Sequence, residues 1–230
     1  MRGRVSRKLT YSYRFVSITA LFVTSILAAN ILIVKQISIF DLTLPAAIVI
    51  FPLSYIFGDV LTEVYGYNQA RKVIWLGFFC NLLLVAAIWL VGILPSAPVF
   101  QAQAAYDRIL GSTARFLVAS FLAYLAGEFI NSYVMARMKM LTQGRWLWMR
   151  TIGSTLAGEG VDSAIVLSLS FAGVLPAGIL LNMIFWHWVL KTTYEALATP
   201  LTYWLVGYLK QAEKLDTYDY GTNFNPLRLG

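Results

Sequence analysis

Seven ionisable side chains lie inside stretches of this sequence that are long and apolar enough to cross a lipid bilayer: Asp59, Glu63, Glu128, Glu159, Asp162, Lys191 and Glu195. A charge at the bilayer centre costs about 2.5–3.5 kcal/mol on insertion scales, so such residues face a partner or a polar cavity. Their spacing is helical. In FGDVLTEVYG, Asp59 and Glu63 stand one turn apart on one face, with Thr62 beside them. Tyr124, Glu128 and Asn131 form a second stripe, with Ser120 one turn earlier. Glu159 and Asp162 sit three residues apart among Ser154, Ala157, Gly158, Gly160, Ser163 and Ala164, small residues that let a helix or ligand approach the backbone. His187, Lys191 and Glu195 follow at i, i+4 and i+8.

Carboxylates accept N–H donors and an ammonium donates three, so this set suits a polar solute held within the membrane. Each group also has a plainer reading. Glu63 is near enough to one end of its segment to pair with Arg71 or Lys72. The Tyr124–Glu128–Asn131 stripe equally suits interhelical hydrogen bonding. Lys191 lies at the depth of Glu159 and Asp162, so a structural ion pair with either is open, and Glu195 joins that ionic face. Six acids against one mid-membrane lysine nevertheless leave carboxylates over, for a ligand, protons or bridging water. Asn81 is a weaker candidate, the one strongly polar side chain of its segment, and His187 reads best as a packing histidine.

Enzyme chemistry finds no footing. One histidine and one cysteine, Cys80, build no disulfide framework and no zinc site without several carboxylates, and no HExxH pattern occurs. Ile56, Phe57 and Gly58 precede Asp59, where an intramembrane aspartyl protease wants Gly-x-Gly-Asp. There is no Gly-x-Ser paired with a histidine and no Walker A lysine loop. The expectation is a non-enzyme with no metal and no cofactor.

These residues must be positioned by membrane helices. The chain of 230 residues is 59% hydrophobic and only 13% charged, with mean hydropathy +0.68. A soluble chain carries about 25% charged residues. Six segments reach the roughly 20 residues a span needs: 15–34, 45–65, 73–94, 114–136, 151–173 and 178–208. The predicted fold is therefore all-α, a six-helix transmembrane bundle over 15–208. A basic segment (1–14) precedes it and a tail (209–230) follows. The first apolar run is too long for a signal-peptide core and is read as a retained helix. Pro200 is expected to bend the sixth helix.

Arg2, Arg4, Arg7, Lys8, Arg14, Arg71, Lys72, Arg137, Lys139, Arg145 and Arg150 cluster on alternate connections, against Lys35 and Arg108 on the others. Eleven against two places both termini in the cytoplasm. Because the net charge of +7 sits at segment ends, it is no nucleic-acid signature. The connection 95–113 has the composition of a short surface helix or of an ordinary loop. Trp146, Trp148, Tyr65 and Tyr67 fall near interfaces, where amphipathic rings are favoured.

The runs FPLSYIFGDVLTEVYGYNQARKVIW, ARFLVASFLAYLAGEFINSYV and STLAGEGVDS, followed by Lys191 and Pro200, resemble the queuosine precursor transporter family. That family belongs to the vitamin uptake transporters and is related to the S components of energy-coupling-factor importers. The resemblance spans about residues 15–208. It implies an S-component-like bundle in the bacterial inner membrane that imports 7-deazaguanines such as preQ0, preQ1 or queuine. Carried over on these motifs are Asp59, Arg71, Arg115, Ser120, Tyr124, Asp162 and Lys191, with Glu63, Glu128 and Glu159 tuning the choice of base. The expected binding set is thus Asp59, Glu63, Asn81, Tyr124, Glu128, Asn131, Glu159, Asp162, Trp186 and Lys191. Arg71, Arg115 and Glu195 are expected in structural or ion-pair roles. Tyr124, Trp186 and Trp188 are candidate platforms for a planar ring. The aminomethyl group of preQ1 is cationic, and Glu128 or Glu159 would favour it. Expected partners are the base, the bilayer and a second copy of the chain. An alternative makes the chain the S component of an ATP-driven importer, docked on an energy-coupling-factor module.

Overall fold

The computed structural model describes residues 12–32, 34–39, 42–111 and 114–228. The first helix, α1 (Tyr13–Leu32), buries Phe15, Ile18, Phe22, Ser25, Ile26 and Ala29. Those positions recur at three- and four-residue steps, the stripe of a helix packed along one side. A two-stranded antiparallel hairpin follows, β1 (Gln36–Ile39) and β2 (Leu42–Pro45), with Ile37 opposite Leu44 and Ser38 opposite Thr43. The bundle itself is all helical, as expected, and this short hairpin is an addition to it. Within each strand, QISI and then LTL, polar and apolar residues alternate, a period of two that suits strands. The search for 20-residue apolar runs passed over it.

A single passage then runs from Ala46 to Tyr65: a 3-10 turn (Ala46–Val49), α2 (Phe51–Val60) and a π-helical turn (Leu61–Tyr65). Pro52 stands at its start, where a missing N–H removes no helical bond. Gly66 ends it with φ +83°, and a Cβ there would lie 2.7 Å from Thr217 Cγ2, so only glycine suits the bend. The chain reverses at once into α3 (Tyr67–Gly92). Next come the short α4 (Gln103–Leu110), then α5 (Ala114–Leu141), α6 (Leu147–Phe171) and α7 (Ala177–Glu213). The connection read as either a surface helix or a loop thus holds a short exposed helix. α7 has 37 residues, about 55 Å of helix, and continues unbroken through Pro200.

Among the described residues, four passages are long and apolar enough to cross a membrane: Tyr13–Leu32, Ala46–Tyr65, Tyr67–Gly92 and Phe116–Leu141. α6 and α7 are as long, but they carry the charges that concern function. Leu83, Trp89, Leu181, Leu197 and Trp204 face outward, each at least 66% exposed, an apolar surface suited to lipid. α5 and α6 pack closely at Gly127 and Gly158. A Cβ on Gly158 would stand 2.8 Å from both the Asn131 Cβ and the Gly127 carbonyl. Small residues thus bring Asn131 against the helix bearing Glu159 and Asp162.

Both ends of the bundle chain meet. Ser12 Oγ donates to Glu213 (2.9 Å), and Arg14 lies 3.6 Å from the same carboxylate. Beyond Glu213 the tail folds back over this end. Arg71 donates to the carbonyls of Asn223 and Asn225 (2.9 and 2.7 Å), Trp75 to Pro226 (2.8 Å) and the Tyr67 hydroxyl to Phe224 (3.0 Å). Asp219, 4% exposed, accepts the Tyr67 N–H on both oxygens (3.2 and 3.1 Å), capping the open N-terminus of α3. Asp219→Ala is expected to cost about 1–2 kcal/mol. A lowered thermal midpoint in detergent is the check, and an unchanged midpoint refutes the capping role.

Candidate functional site

Lys191 is the hub of the buried polar centre. Its ammonium lies 2.8 Å from Glu159 Oε2 and 2.6 Å from Asp162 Oδ2, and 4.1 Å from the centre of the Phe51 ring. Both carboxylates come from α6, placed one above the other by their three-residue spacing. The Tyr55 hydroxyl, one turn along α2 from Phe51, is a further hydrogen-bond partner of Glu159. A cation, a ring face and two carboxylates therefore meet at the junction of α2, α6 and α7.

Next to this lie carboxylates with unused oxygens. Asp59 is fully buried; Oδ1 accepts Asn131 Nδ2 (2.8 Å), while Oδ2 has no hydrogen-bond partner. Asn131 Oδ1 is likewise unpartnered. Glu128 packs against Gly58, where a Cβ would lie 3.3 Å from its Oε2, and that oxygen has no partner. Glu195, 2% exposed, has neither carboxylate oxygen partnered. Glu128 is within electrostatic reach of Asp59, Glu159, Asp162 and Glu195, so the acids form one group. Buried polar atoms are ordinarily satisfied, and a buried carboxylate without a partner is costly. This arrangement can receive a ligand rich in N–H donors.

Glu63 belongs elsewhere. The expectation that pairs it with Arg71 or Lys72 is corrected: Arg150 grips both its oxygens (2.8 and 2.8 Å), Lys210 donates at 2.6 Å, and Lys139 lies 3.5 Å away. Both oxygens are engaged by cations, so a binding role for Glu63 finds no support in the geometry. The π-helical turn Leu61–Tyr65 separates the two acids of the FGDVLTEVYG motif. Asp59 points toward Asn131, while Glu63 turns toward the basic end. Asp216 of the tail completes this cluster, 2.5 Å from Lys139 and 2.9 Å from Lys210. Partial burial pushes its carboxyl up, but hydrogen bonds from both lysines outweigh this and hold it below the ordinary carboxylate value. Its contribution to pinning the tail is present above the unfolded value and lost only as pH falls through the lower folded one.

Other candidates lie apart. Asn81 accepts from Asn30 Nδ2 (2.8 Å) in a separate cleft of about 500 Å³ between α1, α3, α4 and α5, where Tyr106 and Ser120 also contribute to the lining. Tyr124 donates its hydroxyl to the Ile74 carbonyl (3.0 Å) and fills the space over Gly77, a packing role against α3. Trp186 is corrected as a platform: it is 54% exposed and stacks edge-on against Phe185, because its position on α7 faces away from the centre. Trp188 donates to the Leu156 carbonyl (3.0 Å). His187 Nδ1 lies 2.9 Å from Ser163 Oγ. Arg71 binds tail carbonyls rather than a carboxylate, and the Arg115 side chain lies outside the described residues. Glu195 is corrected as an ion-pair residue, since both its oxygens are unpartnered. Sequence reading missed Phe51 and Tyr55, although Phe51, Tyr55 and Asp59 recur at four-residue steps. It also missed the roles of Arg150, Lys139 and Lys210 around Glu63, which are distant in sequence and carried no signal.

Apolar helices of membrane length packed around a buried polar centre mark a multi-pass membrane protein. The chain belongs to the vitamin uptake transporter family, whose profile, described as "Putative vitamin uptake transporter", matches residues 45–205. It is 30% identical over 178 residues to the "Probable queuosine precursor transporter" of Bacillus subtilis (strain 168), covering 76% of this chain and 77% of that protein. It is 26% identical over 146 residues to the "Queuosine precursor transporter" of Escherichia coli (strain K12), covering 64% of this chain and 63% of that one. No solved structure matches the chain.

Proposed function

We propose that this protein imports queuosine precursors, 7-deazaguanine bases, across the bacterial inner membrane. The observation that carries the reading is the Lys191–Glu159–Asp162 group beside the open oxygens of Asp59, Asn131 and Glu128. A guanine-like edge offers paired N–H donors to a carboxylate and an O6 acceptor to an ammonium. Phe51 and Tyr55 supply aromatic surface for a planar ring, as aromatic side chains do for unpaired bases. The printed names of the relatives point to the same substrate class.

In this reading α1, the 46–65 passage, α3, α5, α6 and α7 are six spans. The meeting of Ser12 with Glu213 supports an even number of crossings, and the excess of Lys and Arg at that end makes it cytoplasmic. The importer works without its own ATPase and assembles as a homo-oligomer.

The test is uptake in a host that lacks both its own precursor route and any energy-coupling module, read as queuosine appearing in tRNA. Expression of this chain alone is expected to restore queuosine, and Asp59→Asn to reduce uptake with the protein still folded. Restoration only on adding a coupling module would move the chain to an S-component role. No restoration under either condition would sink the proposal.

A further inference from the structure

We propose that the cleft between α1, α3, α4 and α5 is a second ligand site, an entry station that takes a neutral planar heterocycle by a lactam edge, an N–H and a C=O side by side. The inference rests on the transport function proposed above and gives the base a docking place apart from the Lys191 centre.

The cleft encloses about 500 Å³, within the range of small-molecule pockets. It lies at the end of the bundle away from the chain termini, among the last turns of α1 and α3 and the first of α5. None of Phe51, Tyr55, Glu159, Asp162 or Lys191 lines it. One turn from Asn81 along α3, Tyr124, Phe22 and Ile26 fill the space over Gly77, so packed side chains close the cleft toward the termini.

Its polar equipment is a pair of amides. Asn81 is 3% exposed, and its Oδ1 accepts Asn30 Nδ2 at 2.8 Å. An Asn side chain carries two N–H donors and a carbonyl with two lone pairs. Among the described residues this bond is the only one either side-chain amide makes, so Asn81 Nδ2 and Asn30 Oδ1 keep a donor and an acceptor for the cleft that both residues line. One donor and one acceptor are the complement of a lactam, whose carbonyl accepts and whose N–H donates. Exchanging the roles of the two amides leaves the same complement. Trp89, Phe116 and Phe121 line the cleft around the pair, and aromatic faces suit any planar base.

Other occupants fit less well. Among the described residues no Lys or Arg lines the cleft, so an anion finds no counter-charge there. The carboxylate of Asp107 accepts Gln103 Nε2 (2.8 Å) on the exposed α4. A lipid chain fills apolar space but leaves both open amide groups unsatisfied, and burying such groups under hydrocarbon is costly. The wall formed by α4 is lightly held, as an entry requires. That helix buries none of its own residues, and its Tyr106 hydroxyl donates to the Ile88 carbonyl of α3 (3.2 Å).

The experiment reads the cleft itself in the purified full-length protein. Cys80→Ser removes the one native thiol, and Ser120→Cys places a thiol in the lining with the smallest change of shape. Its reaction with a small water-soluble methanethiosulfonate is timed alone, with 7-cyano-7-deazaguanine, a neutral lactam, and with the 6-O-methyl ether of that base, which lacks the lactam edge. At saturation the base is expected to slow labelling about fivefold or more, and the ether to leave the rate within about twofold. Adding Asn81→Leu, which keeps the volume and removes the donor, should raise the base concentration needed for protection about tenfold, the scale of one or two neutral hydrogen bonds. Asn30→Leu, on the less buried partner, is a second variant with the same expected direction, and the melting midpoint checks that each bundle is intact. Protection should survive in the variant Lys191→Ala, Glu159→Gln, Asp162→Asn, whose central group is dismantled. A thiol that the reagent never reaches, equal protection by base and ether, protection unchanged in both asparagine variants, or protection lost with the central group would each overturn the inference and leave the proposed function standing. Protection intact in a chain that fails the uptake test would remove the transport reading and keep the lactam site.

Discussion

Lys191→Ala is expected to reduce precursor uptake by about a hundredfold or more. Lys191 is the common partner of Glu159 and Asp162, at 2.8 and 2.6 Å. Removing one member of a buried ion pair leaves the other charge uncompensated, a penalty of about 3–5 kcal/mol, and every 1.4 kcal/mol is a factor of ten. Two effects are mixed in that number, loss of a ligand contact and destabilisation of the helix junction. They separate in the triple variant Lys191→Ala, Glu159→Gln, Asp162→Asn. Neutralising both carboxylates removes the stranded charges, so the melting midpoint should recover toward the wild-type value while uptake stays lost. Recovery of uptake along with stability would show that Lys191 serves only to hold α6 against α7.

Glu63→Ala should produce a large loss of stability and need not touch the ligand. Glu63 is fully buried and faces Arg150, Lys210 and Lys139, of which Arg150 and Lys139 are 1% and 2% exposed. Without it, Asp216 is left near the lysines, and Arg150 keeps only the Arg145 carbonyl. The expected cost is about 3–5 kcal/mol. It would appear as a much lower thermal midpoint and as proteolytic release of the tail, which Lys139 holds through the Thr217 carbonyl (2.7 Å). Glu63→Asp, which keeps the charge but shortens the reach, should fall between. A Glu63→Ala protein that melts like the wild type would remove this cluster from any account of how the basic end is held.

The two predictions concern acids four residues apart in one motif, and this shows where sequence reading stops. A regular helix puts Asp59 and Glu63 on one face, and from spacing alone they are alike. The π-helical turn at Leu61–Tyr65 and the positions of Arg150 and Lys210 assign them to different tasks. Neither cation is near Glu63 in the chain, so no local pattern foretells the pairing. Trp186 shows the same limit. Its ring type suits a base platform, but its angular position on α7 turns it outward. Glu195 was grouped with Lys191 because four-residue steps align them. The structure engages Lys191 with α6 and leaves Glu195 open. The hairpin Gln36–Pro45 was legible as alternation, but only to a search for strands.

The sequence by itself determined that this is a membrane protein with charges buried among apolar helices, because hydropathy and segment length are local properties that no fold can alter. It also carried the family, through long motifs around those charges, and the excess of acids over mid-membrane cations. Only the tertiary structure decided which acid meets which cation. That choice depends on where α2, α5, α6 and α7 cross, which in turn depends on side-chain contacts such as Gly127 against Gly158. Such contacts join residues about thirty positions apart in the chain or more, as Lys191 joins Asp162 and Arg150 joins Glu63. The sum of charges was written along the chain, while their pairing, and the unpaired remainder proposed to meet the substrate, came from packing.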